Sequence, residues 1–167
     1  LRLHDDGSIP DDNPFVALYG EEPFIDDIGV YGQIWSLGHR NPLGFEFDLD
    51  GGLWVMEMGP SGGDELNSIK RATNYGYPVV SNGQHYDGRA IPDHDTRPEF
   101  QTPAIWWTPG LSPGNLMVYR GSQFGGWRGN AFVAGLSSRA IVRIELDGDE
   151  AREIERYDMG ARIRGVF

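Results

Sequence analysis

The sequence predicts an all-β fold, and three observations carry that expectation. No segment of about ten residues keeps apolar positions at i, i+3, i+4 and i+7 free of Gly and Pro, so amphipathic helices are not expected. Glycine (24) and proline (11) are frequent enough to join many short strands through turns. Between those turns, short apolar runs alternate with polar residues in the period-two manner of half-buried strands.

The chain opens on a strand-like run, Leu1-Arg2-Leu3, without an initiator methionine, and closes on another, Arg162-Ile163-Arg164-Gly165-Val166-Phe167. Both ends are therefore expected to be cut from a longer protein. Phe45 and Phe47 alternate with Glu46 before the turn residues Asp48-Leu49-Asp50-Gly51-Gly52, and Leu53-Trp54-Val55-Met56 returns, which reads as a hairpin. Asp64 to Ile69 reads as the next strand, and Leu116 to Tyr119, Ala131 to Ala134 and Ala140 to Leu146 follow the same habit. Asn41-Pro42-Leu43-Gly44 opens one hairpin, and Ser112-Pro113-Gly114-Asn115 opens another about seventy residues later, with a third opening near Arg164-Gly165. Units of four strands in roughly 40–50 residues are the blades of a β-propeller. On that basis residues 1–167 form a partial propeller domain, truncated at both ends, and the Pro/Gly-rich stretch 80–113 is expected as an inserted loop on one face of a blade.

A formal net charge of −11 argues against a nucleic-acid partner or an anionic membrane surface, since either needs clustered Lys and Arg. An anionic ligand would need its own local cations. The absence of cysteine excludes disulfides, thiolate metal sites and cysteine nucleophiles, and leaves the compartment open. No run approaches the roughly 18 apolar residues of a membrane span.

Gly38-His39-Arg40-Asn41-Pro42 is a dense polar cluster just before a strand, where loop residues reach a propeller's axial pocket. Taken alone the cluster fits a structural role better, with the arginine in a loop salt bridge and the asparagine capping a turn, and its place before a hairpin raises the functional reading. Glu57-Met58-Gly59-Pro60-Ser61-Gly62-Gly63-Asp64-Glu65-Leu66-Asn67 follows a strand directly. Its Gly and Pro residues free carbonyls to turn inward beside carboxylates, a donor set for a hard cation such as calcium or, alternatively, a solvated tight turn. Within it Gly59-Pro60-Ser61-Gly62-Gly63 matches the G-x-S-x-G pattern of serine hydrolases, but that elbow must lead into a helix and a strand is expected here. Arg162 and Arg164, two apart in an expected strand, would share one face and suit carboxylates or phosphates, as would any exposed arginine pair. His94, between Asp93 and Asp95, is expected in solvent, and His4, His39 and His85 have no i, i+4 partner.

Five phrases in order, Gly38-His39-Arg40-Asn41-Pro42, Glu57-Met58-Gly59-Pro60, Gly63-Asp64-Glu65-Leu66-Asn67, Asn74-Tyr75-Gly76-Tyr77-Pro78 and His85-Tyr86-Asp87-Gly88, resemble the soluble aldose (glucose) dehydrogenases that use pyrroloquinoline quinone (PQQ). The resemblance implies a six-bladed β-propeller of the soluble quinoprotein glucose dehydrogenase type, here an incomplete set of blades. It implies that Arg40 and Asn41 face the quinone oxygens, that Arg162 and Arg164 pair with the cofactor's carboxylates, and that Tyr86 contacts the cofactor. Gly59 and Pro60 correspond to carbonyl ligands of a cofactor-chelating calcium, Glu65 and Tyr75 to positions holding a further, structural calcium, and Asp64 to a support that orients the catalytic base.

The implied activity is oxidation of aldoses at the anomeric carbon to lactones, with an external electron acceptor and a periplasmic or secreted location. Two departures stand out. The family's general base is a histidine in an earlier blade, and none of the four histidines here occupies that motif, so this chain alone is not expected to turn over. The family commonly carries a lysine after Gly-Leu, where this chain has Ser137 and Ser138 after Gly135-Leu136 and offers Arg139 instead. The alternative reading is a non-catalytic propeller of the same superfamily, a binding or interaction module.

Overall fold

A computed structural model of the protein describes residues 1–16 and 28–167. A one-turn helix α1 (Ile28–Gly32) precedes eight strands. The first four are β1 (Pro42–Phe47), β2 (Leu53–Glu57), β3 (Asp64–Ser68) and β4 (Ile105–Trp107). The second four are β5 (Pro113–Val118), β6 (Ala131–Gly135), β7 (Ala140–Asp147) and β8 (Glu150–Asp158). They form two four-stranded antiparallel meanders, β1-β2-β3-β4 and β5-β6-β7-β8.

Each meander follows from local chemistry. In the β1–β2 turn, Asp48 accepts from the Asp50 and Gly52 amides at 2.9 and 2.8 Å and from Trp54 Nε1 at 2.9 Å, while Gly51 takes the left-handed backbone that the turn requires. The resulting register pairs Phe45 with Val55 and Phe47 with Leu53. The β7–β8 turn at Gly148 pairs Asp147 with Glu150, and the ladder then continues to Ala140 opposite Asp158.

The two sheets pack face to face. Trp54, Met56, Leu66 and Trp107 from the first bury against Leu116, Val118, Ala131, Val133, Val142 and Ile144 from the second. Trp107 also donates from Nε1 to Glu153 Oε2 at 2.7 Å, fastening β4 to β8. At the innermost strands β1 and β5 the approach is closer: a Cβ added to Gly44 would lie 2.6 Å from both the Leu116 Cβ and its backbone nitrogen.

Two expectations need correction. The stretch 80–113 is not loop throughout, because it contains β4, and the connection between β3 and β4 runs over 69–104. Three residues are too few to show a period. Neither terminal run lies in a strand. At the C-terminal end a side chain stands in for a neighbouring strand, since the Asn115 amide donates to the Val166 carbonyl at 2.8 Å and accepts from its N–H at 3.0 Å. No helix among the described residues is long and apolar enough to cross a membrane.

Candidate functional site

The antiparallel register that sets Pro42 opposite Glu57 brings the loop before β1 against the loop after β2. The Met58 amide donates to the Asn41 carbonyl at 3.0 Å, and the Arg40 amide donates to Glu57 Oε2 at 2.8 Å. From there a continuous path of hydrogen bonds crosses to the second sheet. The Asp64 carboxylate accepts from the Gly59 amide at 2.9 Å and from the Ser112 amide at 2.8 Å. The Leu136 amide reaches the Ser112 carbonyl at 2.9 Å, and the Ile163 amide reaches the Gly135 carbonyl at 3.2 Å. The structure thus ties the Arg40 segment and the Arg162–Arg164 segment, far apart in sequence, into one end of the two sheets.

Arg40 is the most constrained cation there. Its guanidinium donates to the Met58 carbonyl at 2.8 Å and to the Tyr86 hydroxyl at 3.3 Å, and lies 5.8 Å from the ring centres of both Tyr77 and Tyr86. Its Nε is buried without a partner. Tyr86 is 75% exposed, so this arm of the site faces solvent. Asn41 spends its carbonyl on Met58, and its side chain makes no hydrogen bond among the described residues.

Behind Arg40 lies a partly buried relay that the sequence did not reveal. Glu57 accepts from His39 Nδ1 at 2.5 Å and from Asn67 Nδ2 at 3.1 Å, and the other His39 nitrogen meets Ser36 Oγ at 2.7 Å. His39 also stacks on Tyr75 with ring centres 4.9 Å apart. The order Ser36, His39, Glu57 is that of a nucleophile, a base and an acid. Glu57 is equally committed to the Arg40 backbone and to Asn67, so the relay orients the Arg40 loop.

Asp64 is buried, and that burial raises its carboxyl above the usual carboxylate range against the lowering effect of the Ser112 and Gly59 amides. Glu65, partly buried, is pushed up to about 8 by burial and by the neighbouring Glu57 carboxylate. Tyr75 is pushed up to about 12, chiefly by burial, while its hydroxyl donates to the Ser68 carbonyl at 2.5 Å and accepts from the Lys70 amide. His94 is buried, not solvated: Nε2 donates to the Tyr75 carbonyl at 3.0 Å and Nδ1 has no partner. Two aspartates beside a histidine suggest solvent, and a single turn of tight helix turned the ring inward instead.

The loop Gly59-Pro60-Ser61-Gly62-Gly63 is folded tightly on itself, since a Cβ on Gly59 would lie 2.3 Å from the carbonyl oxygens of both Gly62 and Gly63. The carbonyls of Gly59 and Pro60 accept no hydrogen bond among the described residues. No group of three or more His, Asp or Glu side chains converges among the described residues, so a cation here would rely on such carbonyls. Of the 14 Lys and Arg residues, three, Arg139, Arg162 and Arg164, have side chains with neither an ion pair nor a hydrogen bond among the described residues. All three are exposed. Arg162 and Arg164 do not alternate on a strand as expected. They flank Ile163 in an extended segment held at Gly135. Ser137 donates to the Gly110 carbonyl at 3.1 Å, which commits its hydroxyl to the loop. Trp106 is half exposed and Trp107 is buried in the core.

Two antiparallel four-stranded sheets thus carry, at one end, arginines unpaired among the described residues, carbonyls without a donor and buried carboxylates. The chain belongs to the glucose/sorbosone dehydrogenase family, whose model matches residues 1–167. It is 33% identical over 171 residues to an aldose sugar dehydrogenase of Escherichia coli (strain K12), covering 99% of this chain and 44% of that protein. To quinoprotein glucose dehydrogenase B of Acinetobacter calcoaceticus it is 40% identical over 94 residues, 56% of this chain and 17% of that one. Among solved structures it resembles the soluble aldose sugar dehydrogenase of Escherichia coli in the apo-form, with a TM-score of 0.79 and 33% identity, covering 97% of this chain and 46% of that one. It also resembles the PQQ-bound aldose sugar dehydrogenase of Streptomyces coelicolor, with a TM-score of 0.62 and 26% identity over 92% of this chain and 38% of that one. The chain therefore spans less than half the length of the relatives it matches.

Proposed function

We propose that the protein carrying this chain is a six-bladed propeller that oxidises aldose sugars at the anomeric carbon to lactones, with PQQ and calcium. The observation that carries this reading is the unspent positive charge at one end of an otherwise acidic chain. Arg162 and Arg164 have no carboxylate partner among the described residues, and Arg40 keeps a buried nitrogen without a partner there. A multiply charged planar anion such as PQQ would answer the exposed arginines.

Arg162 and Arg164 would hold its carboxylates, with Arg40, Asn41 and Tyr86 at the quinone edge. The free carbonyls of Gly59 and Pro60 would hold calcium, and Glu65 with Tyr75 a second, structural calcium. When bound, the cofactor accepts hydride and calcium supplies Lewis-acid polarisation. The chain's own residues do the positioning. Glu57 fixes the Arg40 backbone, Met58 fixes its guanidinium, and Asp64 holds the Gly59 loop to the second sheet while standing ready to orient a base contributed from elsewhere in the protein. The sugar, an external electron acceptor and a periplasmic or secreted location complete the reading.

The test uses the full-length protein with calcium and PQQ, following aldose-dependent reduction of a dye. Activity, with cofactor affinity falling about thirty-fold or more in Arg40→Ala, is the expected result, because truncation leaves paired groups without their charge. Absence of both turnover and calorimetric PQQ binding would leave the non-catalytic propeller module as the better account.

A further inference from the structure

The loop that bears the Gly59 and Pro60 carbonyls is shaped by backbone packed on backbone. Gly59 rests on the far limb of its own loop, since a Cβ there would lie 2.3 Å from the carbonyl oxygens of both Gly62 and Gly63. That limb rests in turn on the segment 82–84: a Cβ on Gly63 would lie 2.4 Å from the Gly83 nitrogen, and one on Gly83 would lie 2.3 Å from the Gly62 oxygen. Three layers of chain therefore stack with no side chain between them, and a shift of one displaces the next. Ser61 and Gln84 join the outer two by reciprocal amide-to-carbonyl bonds of 2.9 and 3.2 Å.

Thr108, directly after β4, fastens the same two layers from the side. Its hydroxyl accepts from the Gly63 amide at 3.1 Å and donates to the Asn82 carbonyl at 2.9 Å. Its methyl carbon would stand 3.2 Å from a Cβ on Gly62. Gly62 and Gly63 both hold left-handed backbone, φ 80 and 66, and glycine leaves such a conformation easily when nothing pins it. Beyond Gln84 the same segment carries Tyr86, which meets the Arg40 guanidinium.

We infer that Thr108 is a positioning residue for the cation loop: its hydroxyl keeps the Gly62–Gly63 limb against Gly59, and so keeps the Gly59 and Pro60 carbonyls turned toward a hard cation. This rests on the calcium and PQQ reading above and deepens it. Carbonyl ligands carry no net charge, so affinity at such a site depends on how little the ligands must move to meet the ion. Thr108 is exposed, so replacing it disturbs no core.

The test follows PQQ binding to the full-length, cofactor-free protein across a calcium series, without sugar, and records the calcium-free melting temperature beside it. Thr108→Val keeps the shape and loses the hydroxyl, Thr108→Ser keeps the hydroxyl and loses the methyl, and Thr108→Ala repeats the test should the valine variant not fold. Asp48→Ala breaks the β1–β2 turn at the opposite end of the sheet and reports destabilisation alone. Thr108→Val is expected to raise the calcium concentration at half-maximal PQQ binding roughly three- to ten-fold, the scale of one hydrogen bond, with parental PQQ affinity restored at saturating calcium. Thr108→Ser should stay near the parent, and Asp48→Ala should melt lower with its calcium requirement unchanged. A parental calcium requirement in Thr108→Val, or a shift shared by Asp48→Ala, overturns the role of Thr108 and leaves the functional reading standing. A parent that binds PQQ equally well without calcium overturns the cation loop and this inference, but not the PQQ reading. If the parent binds no PQQ at any calcium concentration, both fail together.

Discussion

Replacing Glu65 by glutamine isolates what it costs the fold to keep a charge beside Glu57. Glu65 lies on β3 next to Asp64, with Asn67 reaching back toward it and Glu57 sharing that same Asn67 amide. A carboxyl moved from 4.5 to about 8 is displaced by roughly 3.5 pH units, which would correspond to about 5 kcal/mol if the whole displacement reached stability. Partial exposure and sharing of the penalty with Glu57 reduce this to the order of 2–4 kcal/mol. The sign follows from proton counting. Between 4.5 and about 8 the folded protein holds a proton that the unfolded chain has released, so stability falls as pH rises through that window and levels off above it. The carboxylates held below their usual range, such as Asp48 and Asp149, finish titrating at lower pH. Urea unfolding without calcium at about pH 5.5 and 8.5, in the parent and in Glu65→Gln, gives the difference directly. The parent should lose stability over this interval and the glutamine variant should lose much less. Calcium should restore the parent at the higher pH and help the variant little. Equal declines in both proteins would refute the account of Glu65.

Two further substitutions examine the packing. Leu66→Ala removes a fully buried side chain from the contact between the sheets and should cost about 2–5 kcal/mol in urea unfolding, whereas a loss under about 1 kcal/mol would show that the site collapses around the gap. Trp107→Phe removes the donor to Glu153 and should cost about 1–2 kcal/mol. A double-mutant cycle with Glu153→Gln should show coupling between the two positions, and additive effects would mean that the bond contributes nothing.

Several elements were legible because their chemistry is local. The Asp48 turn declares the β1–β2 hairpin, and the apolar runs of β5, β6 and β7 announce themselves by alternation. β8 does not. Glu150–Asp158 is an edge strand rich in Glu and Arg, held by its ladder to β7 and by pairs such as Arg152 with Glu145, so no apolar period marks it. β4 is hidden by its brevity and by the prolines around it. At the site, the motif residues near Arg40 and Gly59 could be named from sequence. The His39–Glu57 relay, the inward turn of His94 and the isolation of Arg139 depend on contacts between distant segments, which no spacing along the chain encodes. The arginines at 162 and 164 were found for an insufficient reason. What sets them apart in the structure is what they do not touch, and no strand aligns them.

The missing side chain at Gly44 limits which sheets can be neighbours. Because Leu116 occupies the space a methyl group would need, the first sheet presents a notch and the second a matching peg at the point where their inner strands meet. Recombining such sheets between related proteins would succeed only where notch and peg travel together. The loops above them, carrying Arg40 on one side and Ser112 on the other, could diverge freely while that joint kept their spacing.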